Sequence, residues 1–247
     1  MEFYLGTHML SHAVKFERTF ISINRLRGRR SDFAVNSWIL DSGAFTEIAK
    51  YGEFRTSIEQ YASEIKRWST CGNMELAVTQ DYMCEPFMLN KTGLTVEDHQ
   101  RLTIERYDKL ISLVYPELIM PVLQGYKPSE YVNHIEMYSD RLKPNMRVGV
   151  GSVCKRNKNP EAIITVLSAI KTSRPDLRLH GFGLKKTALQ NAYISHLLYS
   201  ADSMAWSYAA RRNGKNANGL KEAQDFVTDI ERTQATRGQQ LEFEAVR

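Results

Sequence analysis

Eight short apolar, β-prone runs recur along the chain with helical patterns between them, and this alternation limits the fold more than any other feature. The runs cover residues 3–6, 19–23, 37–40, 76–79, 118–123, 147–150, 177–181 and 201–205. Most are continuously apolar, the pattern of parallel strands buried on both faces. Between them, Ile58, Tyr61, Ile65 and Trp68 repeat at helical spacing, as do Tyr107, Leu110, Ile111 and Val114 after a Thr95-Val96-Glu97-Asp98 start. Pro128 and Asn159-Pro160-Glu161 mark two further helix starts, and Thr187 opens a helix expected to run through Leu198. Strands alternating with helices build a parallel sheet. Eight such units in 247 residues predict an α/β fold, a single-domain (β/α)8 TIM barrel over residues 1–232 with a polar C-terminal tail at 233–247. A doubly wound sheet of six or seven strands is the competing arrangement. The pattern is least regular in the first two units, where the arginine-rich stretch 25–30 interrupts it.

Composition then narrows the function classes. Hydrophobic residues at 43% and charged residues at 25% describe an ordinary globular chain and exclude extensive disorder. The net charge of +5 permits a polyanionic partner without requiring one. Cys71, Cys84 and Cys154 form no CxxC pair, and an odd count argues against a disulfide framework, so a reducing cytoplasm is the expected compartment. The opening MEFYLGTHML lacks the pattern of a signal peptide, and no run of 18 apolar residues predicts a membrane span.

The C-terminal ends of barrel strands face the active site, so the polar residues after each run carry the functional reading. The third run ends in Asp41-Ser42-Gly43-Ala44-Phe45, the fourth in Gln80-Asp81-Tyr82 and the fifth in Gln124-Gly125-Tyr126. The sixth gives Gly149-Val150-Gly151-Ser152, the seventh His180-Gly181-Phe182-Gly183, and the eighth carries Asp202 before Trp206-Ser207. Singly, each has an ordinary structural explanation. Asp before Ser-Gly makes a turn or a cap, Gln124-Gly125 reads as a turn, and His180 reads as a satisfied strand-end histidine. Together they are more informative, because a packed barrel needs no carboxylates at three strand ends.

Several chemistries lack their signatures. The six histidines form no HxH or HExxH, no phosphate-binding GxxxxGK[ST] loop or GxSxG elbow occurs, and Gly149-Val150-Gly151 is too short for a dinucleotide fingerprint. No metal and no cofactor are expected. Cys154 is an outside candidate for a nucleophile, with nothing around it in sequence to lower its pKa.

Taken in order, the strand-end residues resemble the tRNA-guanine transglycosylase superfamily, most closely its short DNA-acting branch, the DpdA-type 7-deazaguanine DNA transglycosylases. The "DSGG(F/Y)Q" signature resembles Asp41-Ser42-Gly43-Ala44-Phe45-Thr46, and the second family aspartate resembles Asp81 in VTQDYMCEP. "QGG" resembles Gln124-Gly125-Tyr126, "GGLAVG" resembles 148–152, and "LMGVG" resembles Leu179-His180-Gly181-Phe182-Gly183. "GxDxFDxxxPTRxARNG" resembles 200–214, and the likeness runs over roughly 3–219. Two departures stand out. The nucleophilic aspartate of "FD" is replaced by Ala205, and no cysteine follows Cys154 to build the zinc site of the tRNA enzymes.

The resemblance implies exchange of guanine in DNA for a free 7-deazaguanine base (preQ0 or a derivative), without a cofactor. Such exchange needs a carboxylate to hold the sugar C1′ and an acid/base group for the departing and incoming bases. Asp202, by position, is expected as nucleophile and Asp41 as acid/base, with the nucleophile as the alternative role of Asp41. Asp81 and Gln124 are expected to read the base edge, with Ser42, Gly125, Gly149, Gly151 and Ser152 around them and Phe182 or Tyr82 stacked on the base. Arg25, Arg27, Arg29, Arg30, Arg211, Arg212 and Lys215 are candidate phosphate contacts. The alternatives are a tRNA-type transglycosylase, a carboxylate-dependent N-glycosidase, and an inactive DNA-binding relative, the last raised by Ala205.

Overall fold

The structure is a computed structural model that describes residues 1–156 and 159–245, with side chains described through residue 234. Nine parallel strands form one sheet: β1 (Glu2–Gly6), β2 (Arg18–Ser22), β3 (Ser37–Asp41), β4 (Asn73–Val78), β5 (Ile119–Met120), β6 (Val122–Leu123), β7 (Arg147–Val150), β8 (Arg178–Gly181) and β9 (Ser200–Ser203). Their order is β5-β4-β3-β2-β1-β9-β8-β7-β6. The two end strands are halves of one stretch, interrupted at Pro121, which has no N–H to give to a ladder. β5 pairs with β4 and β6 with β7, so the chain itself closes the ring and the fold is an eight-position barrel. Each of the eight expected runs contributes a strand at its own place.

The helices are α1 (Leu10–Ala13), α2 (Ala44–Tyr51), α3 (Ile58–Trp68), α4 (Pro86–Thr92), α5 (Val96–Ile111), α6 (Pro128–Tyr138), α7 (Pro160–Ser173), α8 (Lys186–Leu189), α9 (Ala192–Leu197), α10 (Ala205–Arg212) and α11 (Leu220–Ala245). Their starts follow from local chemistry. Thr95 and Asp98 form a reciprocal capping box on α5, and Asn159 caps α7 through the Ala162 N–H. The helix expected from Thr187 through Leu198 is two short ones, because the Asn191 side chain accepts from the Ile194 N–H and starts α9 anew. Only one turn of helix follows β1, and a 3-10 turn (Ile23–Arg25) with an irregular loop follows β2, so the first two units lack full helices. Phe33 and Val35 of that loop pack into the main core beside Trp38. The polar stretch 233–247 falls largely within α11, and most of its side chains lie outside the described residues.

Strand alternation sorts the side chains. Trp38, Leu40, Val148, Val150, Leu179 and Ala201 face the helices in the main core. Tyr4, Ile39, Val78, Met120 and Val122 fill the barrel interior, with Phe20, Leu76 and Phe182 against them. The N-terminal end is sealed by polar groups. Arg147 donates to Glu2 at 3.0 Å and to the Tyr4 hydroxyl at 2.8 Å, and Tyr4 donates to Glu75 at 2.6 Å. With that end plugged, the interior opens only where the strands end.

Candidate active site

Asp41 lies two residues beyond Ile39 and Gln124 two beyond Val122, so both continue the inward-facing rows of their strands. Asp202 lies next to outward-facing Ala201 and so also points inward. These three, with Asp81, Glu85, Ser152 and Phe182, line a cavity of about 220 Å³ at the strand ends. That is more than ten times the roughly 10–15 Å³ that a single water needs.

Burial governs the electrostatics. Desolvation pushes the Asp41 carboxyl up to about 6; the nearby Asp202 charge adds to this, while the Ser22 hydroxyl and Gly43 N–H hold it down. Desolvation likewise pushes Asp81 up to about 7, with Asp41 and Glu85 adding to the rise and Gln124 opposing it. The Gln124 amide donates to Asp81 Oδ2, and its carbonyl faces the Ser152 hydroxyl at 3.4 Å. The Gln124 backbone is clamped in turn: its N–H donates to His134 Nδ1 at 2.8 Å, and its C=O accepts from Gln100 at 2.7 Å. Burial drives His134 down to about 3, so it is the neutral acceptor this bond requires. Asp202 is 5% exposed, and its Oδ1 accepts from the Gly183 N–H at 3.0 Å.

Other candidate residues take different places. Gly149 and Gly151 make room for side chains: a Cβ at 149 would stand 2.4 Å from Phe182, and one at 151 would stand 2.3 Å from the Gln124 amide. Gly151 lines the cavity, whereas Gly149, Gly125 and the buried Ser42 do not. Ser152 adopts a φ of 62°, a strained value for a side chain of its kind. Tyr82 packs edge-on against Phe54 and His99 and does not line the cavity. The Cys154 thiol lines the cavity, but burial pushes it up to about 11, away from a nucleophilic thiolate.

Two buried residues stand out that the strand-end reading passed over or read as structural, Glu85 in the cavity wall and His180 beside Asp202. Glu85 is 2% exposed, its Oε2 has no hydrogen-bond partner, and desolvation raises its pKa. It sits four residues beyond Asp81, outside any strand-end signature; the only local signal was a carboxylate before Pro86. His180 is fully buried with Nε2 3.4 Å from Asp202 Oδ1.

The basic residues divide. Arg212 and Lys215 are exposed and line a groove of about 770 Å³ that shares Gly183 with the cavity. Arg25, Arg30 and Arg211 are exposed. Arg29 is tied to the Ser31 and Asp32 carbonyls, and Arg27 pairs with Glu47 at 3.1 Å and Glu64 at 3.5 Å. Among the described residues, no group of three or more His, Cys, Asp or Glu side chains is placed to hold a metal ion, and no helix is long and apolar enough to cross a membrane.

The model of the family described as DpdA, deoxypurine in DNA protein A, matches residues 1–223. The chain belongs to the DpdA family. Membership of DpdA makes it an enzyme of DNA modification, a transglycosylase acting on deoxypurines in DNA. The matched region of this DpdA-family chain includes every strand of the barrel and every residue of the cavity wall. No curated protein matches the chain closely enough to serve as a relative.

Proposed function

We propose that this protein exchanges guanine in DNA for a free 7-deazaguanine base through a covalent aspartyl-deoxyribose intermediate. The observation that carries the reading is the convergence of Asp41, Asp81 and Asp202 from three separate strand ends on one cavity that also holds Gln124. In the first half-reaction an Asp202 oxygen bonds to C1′ as the glycosidic bond breaks. The bonding pair leaves with guanine, which takes the proton held by Asp41. In the second, Asp41 removes a proton from the incoming base, whose nitrogen attacks C1′ and releases Asp202. One glycosidic bond replaces another, so no energy source is required.

Asp81 and Gln124 form a donor–acceptor pair suited to the guanine edge: a carboxylate for its N–H donors and an amide for its carbonyl. Phe182, also in the cavity wall, is the ring assigned to stack on the base. Ala205, at the family's nucleophile place, opens α10 and lines the neighbouring groove, whereas Asp202 lines the cavity. This favours an active enzyme using Asp202 over an inactive relative. Reaching the cavity requires the target nucleotide to leave the helical stack, at a cost of a few kcal/mol in duplex DNA.

The test supplies isotope-labelled 7-deazaguanine together with DNA and follows both label and released base. Incorporation of label with release of guanine is expected. Release without incorporation would make the protein an N-glycosidase, and neither event would leave only DNA binding. The nitrile, aminomethyl and formamidine forms, supplied separately, identify the base used.

A further inference from the structure

The buried imidazole of His180 has two polar neighbours. Its Nδ1 lies 2.9 Å from the Ser200 hydroxyl, whereas its buried Nε2 makes no hydrogen bond among the described residues and has Asp202 Oδ1 3.4 Å away. Aromatic rings fix the plane. Phe20 stacks on the imidazole at 5.6 Å and 17°, while Phe182 and Tyr4 meet it edge-on at 5.0 and 6.0 Å. A neutral imidazole has one N–H and one lone pair. An ionised carboxylate can only accept, and a serine hydroxyl can donate. For a neutral ring beside an ionised carboxylate, the arrangement that keeps two lone pairs from facing each other has Ser200 donating to Nδ1 and the Nε2–H on the side of Asp202.

We propose that His180 is a positioning residue for Asp202. The Gly183 N–H bonds Oδ1, the unpartnered Nε2 stands 3.4 Å from the same oxygen and closes on it as charge shifts at C1′, and Oδ2 is the oxygen that bonds C1′. The inference rests on reading Asp202 as the nucleophile. It explains why an imidazole is buried in an aromatic cluster where phenylalanine would pack as well. A hydrogen bond to a charged group contributes about 1.5–3 kcal/mol, or roughly 10- to 100-fold in rate if it is needed in the transition state.

The experiment compares His180→Phe, which keeps the ring contacts and removes the donor, with His180→Gln, which keeps a donor, and with Asp202→Asn. Exchange kinetics, trapped protein–DNA adduct and melting temperature are measured for each. His180→Phe is expected to lower kcat roughly 10- to 100-fold with KM for the base unchanged. His180→Gln is expected to recover part of that loss, and Asp202→Asn to abolish exchange and adduct. Full kcat in His180→Phe beside an inactive Asp202→Asn would overturn the role of His180 alone. Exchange surviving in Asp202→Asn would overturn the nucleophile reading and this inference with it. Nitrogen NMR of the histidines in the unaltered protein gives a second readout that needs no variant to fold. The Nε2–H tautomer is expected for His180, and the Nδ1–H tautomer would overturn the proposal.

Discussion

Asp41 and Asp81 hold their protons more tightly in the folded protein than in the unfolded chain, moving from 3.8 to about 6 and about 7. Their effect on stability is therefore neutral below about pH 4 and becomes a growing cost as pH rises through the folded values. Asp81→Asn removes one of these charges. Its melting temperature is expected to exceed that of the unaltered protein at pH 8 and to match it near pH 4, which thermal melts at the two values would check. The same substitution is expected to weaken discrimination between guanine and adenine while leaving DNA binding intact, as a competition assay would show. Glu85 presents an unpartnered carboxylate oxygen among the cavity residues. Glu85→Gln is expected to shift the preference among incoming bases carrying different 7-substituents, with the largest loss for the one richest in hydrogen-bond donors. KM values for the nitrile and aminomethyl forms would show it.

At the scale of elements, the site depends on what is missing just past the end of β7 as much as on what the strands contribute. A Cβ at 151 would collide with an amide already fixed by Asp81 and by the clamped Gln124 backbone. Gly151→Ala is expected to cost about 1–3 kcal/mol from overpacking and to raise KM for the base. Gly28→Ala is a control of a different kind. Gly28 has a φ of 81° with nothing near the added carbon, so the cost there is backbone strain of about 1–2 kcal/mol, with activity retained. Melting curves and exchange kinetics on both variants separate the two effects. Pro121 makes a comparable point about the frame. It divides one barrel position into two short strands, and the ladder continues around it because the Pro121 carbonyl still accepts from the Gly149 N–H at 2.9 Å.

For the whole molecule, a closed ring plugged at its N-terminal end leaves one face for chemistry, and the groove bearing Arg212 and Lys215 runs up to that face. If these side chains meet phosphates, replacing both with alanine weakens DNA binding across sequences. It also reduces the slope of log affinity against log salt by about 0.9 per lost contact on duplex. Titrations at several salt concentrations measure this. Arg27 is expected to behave differently. It is a partner of Glu47, which is 1% exposed, so Arg27→Ala should cost about 1–3 kcal/mol of stability and leave the salt slope unchanged.

The barrel was legible in the chain because strands buried on both faces must be continuously apolar, and eight such runs leave few ways to close. Asp41, Asp81, Gln124 and Asp202 were legible because barrel geometry sends strand-end side chains to one mouth. Glu85 was not, since its place depends on how the loop after β4 folds back over the cavity, which no strand period encodes. His180 was visible but read as structural, because the 3.4 Å approach to Asp202 joins adjacent strands whose register only the folded sheet sets. The division of the arginines was likewise decided in three dimensions: the stretch 25–30 reads as one basic run, yet contacts with Glu47 and Glu64 on two helices draw Arg27 out of it. Periodicity in a chain fixes which way a side chain faces, and long-range packing fixes what it meets there.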